Sequence, residues 1–127
     1  MDWKFRNDLP IYSQLVEQIT LGIVSGEYPP GVRLPSVRDL AMEAGVNPNT
    51  MQRALQELER EGLVFSQRTA GRFVTEEVDL IQRAKKALAR QSAQVFLQDM
   101  EKLGYDWEEI LSLLEEEKEE EHGDSGV

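Results

Sequence analysis

The sequence predicts a mainly helical chain: an N-terminal winged helix-turn-helix, with three helices and a β-hairpin wing, then a short C-terminal helical segment suited to dimerisation. Three observations predict it. Two amphipathic runs, "SVRDLAMEA" and "NPNTMQRALQELER", meet across Gly45, with small Ala41 permitting close helix crossing. Two β-prone runs, "LVFSQ" and "RFVT", follow Gly62 and are joined by "RTAG", which reads as a hairpin. Beyond them, Ile81, Ala84, Leu88, Val95 or Phe96, and Leu103 recur at near-heptad spacing. Residues 9–76 are thus expected to form the winged domain, 77–115 the helical segment, and 116–127 an acidic tail.

The first helix is read from "LPIYSQLVEQITLGIVSGEY". Pro10 suits a first turn, Tyr12, Leu15, Val16, Ile19 and Ile23 share one face, and Gly26 is the stop. "PPGVRLP" reads as a turn carrying three prolines. Ser36 and Asp39 then fit a capping box in front of the stripe Val37, Leu40, Ala41 and Ala44. Asn47 is the N-cap of the next helix, with Pro48 at its first position and Met51, Ala54, Leu55 and Leu58 facing inward. Gly104 should end the long helix. Asp106 and Glu109 make another cap pair, with Ile110, Leu111 and Leu114 as the last apolar stripe. Past Glu119 the like charges and lack of apolar residues lead to an expectation of disorder.

Composition narrows the function classes. There is no cysteine, so no disulfide framework, thiolate metal site or thiol nucleophile. The lone histidine, His122, lies in a glutamate run that cannot hold metal geometry, and neither an HExxH pattern nor a glycine-rich phosphate loop occurs. No cofactor, metal site or catalytic site is expected. With no signal-peptide core and no membrane-length apolar run, a cytoplasmic location is expected. The net charge of −10 is unevenly placed. From Tyr28 to Thr75 six arginines face five acids, a net of +1, whereas from Glu77 onward six basic residues face fourteen acidic ones, a net of −8. The middle of the chain can meet a polyanion; the tail cannot.

"PPGVRLPSVRDLA", "GVNPNTMQRALQELEREGLV" and "GRFV" resemble the winged helix of the GntR family of bacterial transcription regulators. The "NPNT" opening and "LGYDWEEILSLL" are similar to its short YtrA-type subfamily. The resemblance implies a homodimeric repressor on a two-fold operator. Two positions depart from the family pattern: Pro48 stands where many members have arginine, and Thr69 replaces the first wing glycine, leaving Gly71.

On a helical wheel Asn49, Arg53, Gln56 and Arg60 lie opposite Met51, Leu55 and Leu58, with Thr50 and Gln52 on the flanks. Arginine suits guanine O6 and N7, and Asn or Gln suits adenine N6 and N7. Base reading is therefore assigned to Asn49, Gln52 and Arg53, with Thr50 shared between base and phosphate. Arg38 matches a family position that reaches the groove. Ser36 and Arg33, with Arg68 and Arg72 on the wing, are expected to anchor backbone phosphates. Arg60, beside Glu57 and Glu61, reads as structural, and Asn47 only as a cap.

A single module of this kind buries roughly 600–1,000 Å² on DNA, so two half-sites and a homodimer are expected. Ile81, Leu88, Phe96 and Leu103 are the candidate dimer contacts. The expected partners are a double-stranded DNA operator and a second copy of the chain. Too few residues follow the wing for the family's larger ligand pockets, which leaves room only for a small-molecule effector between helices. The rival reading is a winged-helix protein-interaction adaptor without direct DNA binding.

Overall fold

The computed structural model describes residues 1–122. Among them are α1 (Ile11–Val24), α2 (Val37–Ala44), α3 (Pro48–Arg60), β1 (Val64–Gln67), β2 (Gly71–Val74), α4 (Val78–Lys102) and α5 (Trp107–His122). The chain divides into two compact units, Met1–Leu88 and Ala89 onward, and the division falls inside α4.

In the first unit α3 packs on both α1 and α2, and β1 follows it closely. Leu15, Ile19 and Ile23 of α1, Leu40 and Ala41 of α2, and Met51, Ala54, Leu55 and Leu58 of α3 are all buried. These are positions three and four apart on each helix, so each inward stripe closes on the others. Asn47 caps α3 as its residue type predicts, whereas only the hydroxyl half of the box expected at Ser36 and Asp39 forms. The Asp39 N–H donates to Ser36 Oγ at 3.1 Å, and the Asn49 N–H donates to Asn47 Oδ1 at 2.8 Å. Between the two helices Gly45 takes φ +71°, a left-handed conformation that lets Val46 N–H return to the Ala41 carbonyl at 3.0 Å.

The wing is antiparallel, with Phe65 opposite Phe73 and Ser66 opposite Arg72. "PPGVRLP" does more than turn. Leu34 N–H donates to Arg72 O at 2.8 Å, Val74 N–H to Val32 O at 2.9 Å, and Gly31 N–H to Val74 O at 2.9 Å. Residues 31–34 therefore run along the free edge of β2, with Arg33 bridged to Phe73. The flanking prolines hid this; Val32, Arg33 and Leu34 keep their N–H donors, Pro35 itself biases Leu34 toward extended backbone, and Leu34 enters the core.

The first eight residues are also ordered against the core, which the sequence reading left outside the domain. Gln14 receives Arg6 N–H at 2.7 Å and donates to Arg6 O and Leu9 O, while Gln18 pairs both ways with Lys4. Trp3 and Phe5 stack at 6.2 Å and pack on the core from outside.

Two further expectations change. Ile81, assigned to a dimer contact, is only 6 % exposed and completes the core of the first unit, with Ala84 packed against it. It follows the wing too closely to escape that core. The helix expected to give way to disorder past Glu119 continues to His122, because glutamate is a good helix former when solvated. Residues 123–127 and the His122 side chain lie outside the described residues.

In the second unit the α4–α5 turn is capped reciprocally. Asp106 N–H donates to Glu109 Oε1 at 3.1 Å and Glu109 N–H to Asp106 Oδ1 at 2.9 Å. Met100 and Ile110 are its buried apolar residues, while Leu111 and Leu114, read as part of an inward stripe, are exposed.

The edge position of residues 31–34 has a measurable consequence. Leu34→Ala should cost about 2–5 kcal/mol of stability, whereas Val32→Ala, at a partly exposed edge site, should change it by roughly 0.5 kcal/mol or less. Urea unfolding of both variants checks this; equal small effects would mean that the segment is only a turn.

Candidate nucleic-acid interface

The outer face of α3 is set by its inner one. With Met51, Ala54, Leu55 and Leu58 locked inside, Asn49, Arg53 and Gln56 are exposed, while Thr50 and Gln52 stand half-buried at the flanks. Asn47 uses its side-chain oxygen on the Asn49 backbone, which leaves the Asn49 amide group free to face outward. The site brings three amides, a hydroxyl and a guanidinium onto one helix, beginning at a helix N-terminus that carries partial positive charge. These are the donor and acceptor types that complement base edges and phosphates.

Arg53 does not hang free. Its guanidinium carbon lies 3.7 Å from the centroid of the Tyr12 ring, in the first turn of α1. Tyr12 was read from its spacing as a core-facing residue, and it is instead a half-buried platform under this arginine. Periodicity could not separate the two roles, because a ring at the border of an apolar stripe serves either.

The remaining arginines fall into distinct environments. Arg38 on α2 and Arg68 in the β1–β2 turn are exposed. Arg60 pairs with Glu57 at 3.1 Å along its own helix, as its neighbours suggested. Arg72, expected to anchor DNA phosphate, is mostly sheltered, and its Nε donates to Glu59 Oε1 at 2.7 Å. The Ser66 hydroxyl donates to the same carboxylate oxygen. Arg72 therefore ties the wing to the end of α3. The carboxylate partner was in plain view in the sequence, but only the cross-strand register, with Ser66 opposite Arg72, brings the three groups together.

Arg33 lies across Gly71, where an added Cβ would stand 2.9 Å from its Nε. Gly71 also has φ +102°, so glycine is required for the backbone at the wing corner, while an added side chain would displace the flexible Arg33 guanidinium. Ser36 is engaged as the α2 cap, and its hydroxyl keeps acceptor capacity toward solvent. Among the described residues no cluster has the make-up of a metal site, and no helix is long and apolar enough to cross a membrane.

The Glu59 carboxyl is pushed upward by burial, but the Ser66 and Arg72 hydrogen bonds and the Arg72 charge outweigh this and hold it below the ordinary glutamate value. A depressed folded-state value means stabilisation that is complete above the unfolded-state pKa and is lost as pH falls through the folded one. Glu59→Gln should therefore cost about 1–2 kcal/mol at neutral pH. The gap from wild type should close as pH drops below about 4.3. Thermal melts of both proteins across pH measure it, and a gap that persists unchanged in acid would contradict the assignment.

The chain matches known proteins over most of its length. The model of "Bacterial regulatory proteins, gntR family" matches residues 11–74, from the start of α1 to the end of β2. The HTH-type transcriptional regulator YhcF of Bacillus subtilis is 40 % identical over 111 residues, covering 87 % of this chain and 92 % of that one. A GntR family transcriptional regulator from Listeria monocytogenes superposes with a TM-score of 0.81 at 38 % identity, covering 88 % of this chain and 98 % of its own. The DNA-binding domain of AraR, solved in complex with operator ORX1, is 29 % identical with a TM-score of 0.55 and covers 59 % of this chain and 96 % of its own. With half of its length matched by the family model and a near full-length relative at this identity, the chain belongs to the gntR family of bacterial regulatory proteins.

Proposed function

We propose that this chain is a cytoplasmic, sequence-specific DNA-binding transcription regulator that represses as a homodimer on a two-fold operator. The observation that carries the reading is the outer row of α3. Asn49, Gln52 and Arg53 are free of the core while every apolar residue of the same helix is spent in it. A row of amides, with a guanidinium whose face rests on Tyr12 and whose in-plane donors are open, is matched by base edges in a major groove. The likeness to a domain solved on its operator supports the same orientation. Thr50 is shared between base and phosphate, Arg38 is assigned to the groove, and Ser36, Arg33 and Arg68 are assigned to phosphates. Arg72 is assigned to bracing the wing rather than to direct contact, because Glu59 already holds it.

The dimer rests on a separate observation. Phe96, Leu103, Trp107 and Leu111 of the second unit are exposed, Leu103 to 71 % and Trp107 to 60 %. Among its described residues the second unit buries only Met100 and Ile110, which leaves more apolar surface open than a stable unit commonly does. A second copy would cover it and deliver the two recognition helices about 34 Å apart, one turn of DNA. Leu88, half-buried in the first unit, stays a candidate contact by its spacing alone, and Ile81 is left out because it is buried in the core of that unit.

Selection of duplexes from a random pool tests the main reading and should return an inverted repeat. Arg53→Ala should then relax preference at one position of each half-site by about 1–3 kcal/mol, whereas Arg68→Ala should weaken all duplexes alike and flatten the salt dependence. A protein that retains no sequence from the pool would sink the proposal and leave the adaptor role standing. For the dimer, Phe96→Glu with Leu103→Glu changes only exposed positions, so the fold should persist. Sedimentation should show a monomer with weakened operator affinity, and a persistent dimer would remove these residues from the interface.

A further inference from the structure

We infer that Tyr12 is a positioning residue for DNA recognition, holding the Arg53 guanidinium flat so that its N–H edge is presented to a base. This deepens the proposed function and rests on Arg53 being a base reader.

The inference starts from how the arginines of the first unit are held. Arg60 and Arg72 are met by carboxylates, Glu57 and Glu59, which occupy their in-plane N–H groups. Arg53 is met instead by the face of an aromatic ring at 3.7 Å. Among the described residues no carboxylate lies within ion-pair distance of it. The difference is chemical. A carboxylate consumes the donors a guanidinium would offer to guanine O6 and N7, and its charge would repel the approaching phosphates. A ring consumes only the flat face and leaves all five in-plane donors available. Stacking and base recognition use orthogonal surfaces of the same group, so neither has to be released for the other.

The support under the ring is rigid. Tyr12 sits in the first turn of α1, one turn before Leu15 and two before Ile19, both fully buried against α3. α1 and α3 are packed directly on one another, so ring and guanidinium belong to a single rigid pair of helices. A free arginine side chain samples many rotamers and must lose that freedom on binding; one already laid on a ring loses less. Tyr12 therefore contributes to affinity without necessarily touching DNA, and it contributes only through Arg53.

That dependence supplies the test. The probe is the tightest duplex recovered from a random pool, measured with the full chain. Tyr12→Leu keeps apolar bulk but removes the π face. It should weaken binding by about three- to thirty-fold, the range a cation–π contact supports, and reduce discrimination at the base pair that Arg53→Ala affects. Tyr12→Phe keeps the face and should bind within about two-fold of wild type. In the Arg53→Ala background Tyr12→Leu should have no further effect, and the slope of affinity against salt should not change, because no phosphate contact is lost. In the free protein the Arg53 side-chain NMR signals should carry a ring-current shift that Tyr12→Leu abolishes. An unchanged affinity for Tyr12→Leu overturns the inference, as does an equal loss with and without Arg53. If Arg53→Ala itself leaves sequence preference intact, the base-reading assignment has failed, a result distinct from both.

Discussion

The inner face of α3 governs the rest of this structure. Met51, Ala54, Leu55 and Leu58 are buried between α1 and α2. A helix held on four consecutive inward positions has no rotational freedom about its axis. The direction of Asn49, Arg53 and Gln56 is therefore decided by hydrophobic packing rather than by anything those polar residues do for themselves. Proline at 48 and the Asn47 cap fix where the helix begins, so the phase of the outer row is set from one end and its orientation from the side. Recognition chemistry is here a by-product of core geometry.

From that fixed helix the wing is positioned by one carboxylate. Glu59 accepts from Ser66 on β1 and from Arg72 on β2, so both strands of the hairpin are attached to the last turn of α3. The edge segment 31–34 holds the other side of β2, and Arg33 lies over Gly71 at the wing corner. Six arginines between residues 33 and 72 look alike in composition, yet they divide by partner. Those facing a glutamate brace the fold, and the one facing a ring remains able to donate. Charge counting alone treats all of them as phosphate ligands, and that is why it overstates the cationic surface of this domain.

Much of the arrangement was legible in sequence because it depends on local rules. The inward stripes of α2 and α3, the caps at Ser36, Asn47 and Asp106, the stop at Gly45 and the hairpin across residues 68–70 all follow from periodicity and cap chemistry. The unread features depend on contacts between distant segments. Trp3 and Phe5 lie in a stretch without regular structure, so no period announces them. Residues 31–34 are masked by prolines that only flank the paired positions. Tyr12 under Arg53 and Arg72 on Glu59 join separate elements, which no window along the chain reveals. Ile81 satisfied the heptad spacing of the long helix equally well as core or as interface, and proximity to the wing decided for core.

The charge distribution places a further demand on this design. The winged segment from Tyr28 to Thr75 has a net charge of only +1, and two of its six arginines are already neutralised by glutamates. Non-specific affinity for DNA scales with the number of phosphates neutralised, and here that number is small. Under the proposed function, duplexes that lack the right bases should be bound weakly, and the acidic stretch from Glu115 onward should add repulsion toward any polyanion. Such a protein gains selectivity by withholding backbone affinity, which makes its few base-directed groups matter more. It can afford that only if each of those groups is pre-held and if the contacts are made twice. A guanidinium laid on a ring answers the first requirement. The exposed apolar face of Phe96, Leu103, Trp107 and Leu111 offers the proposed second copy a surface for meeting the other.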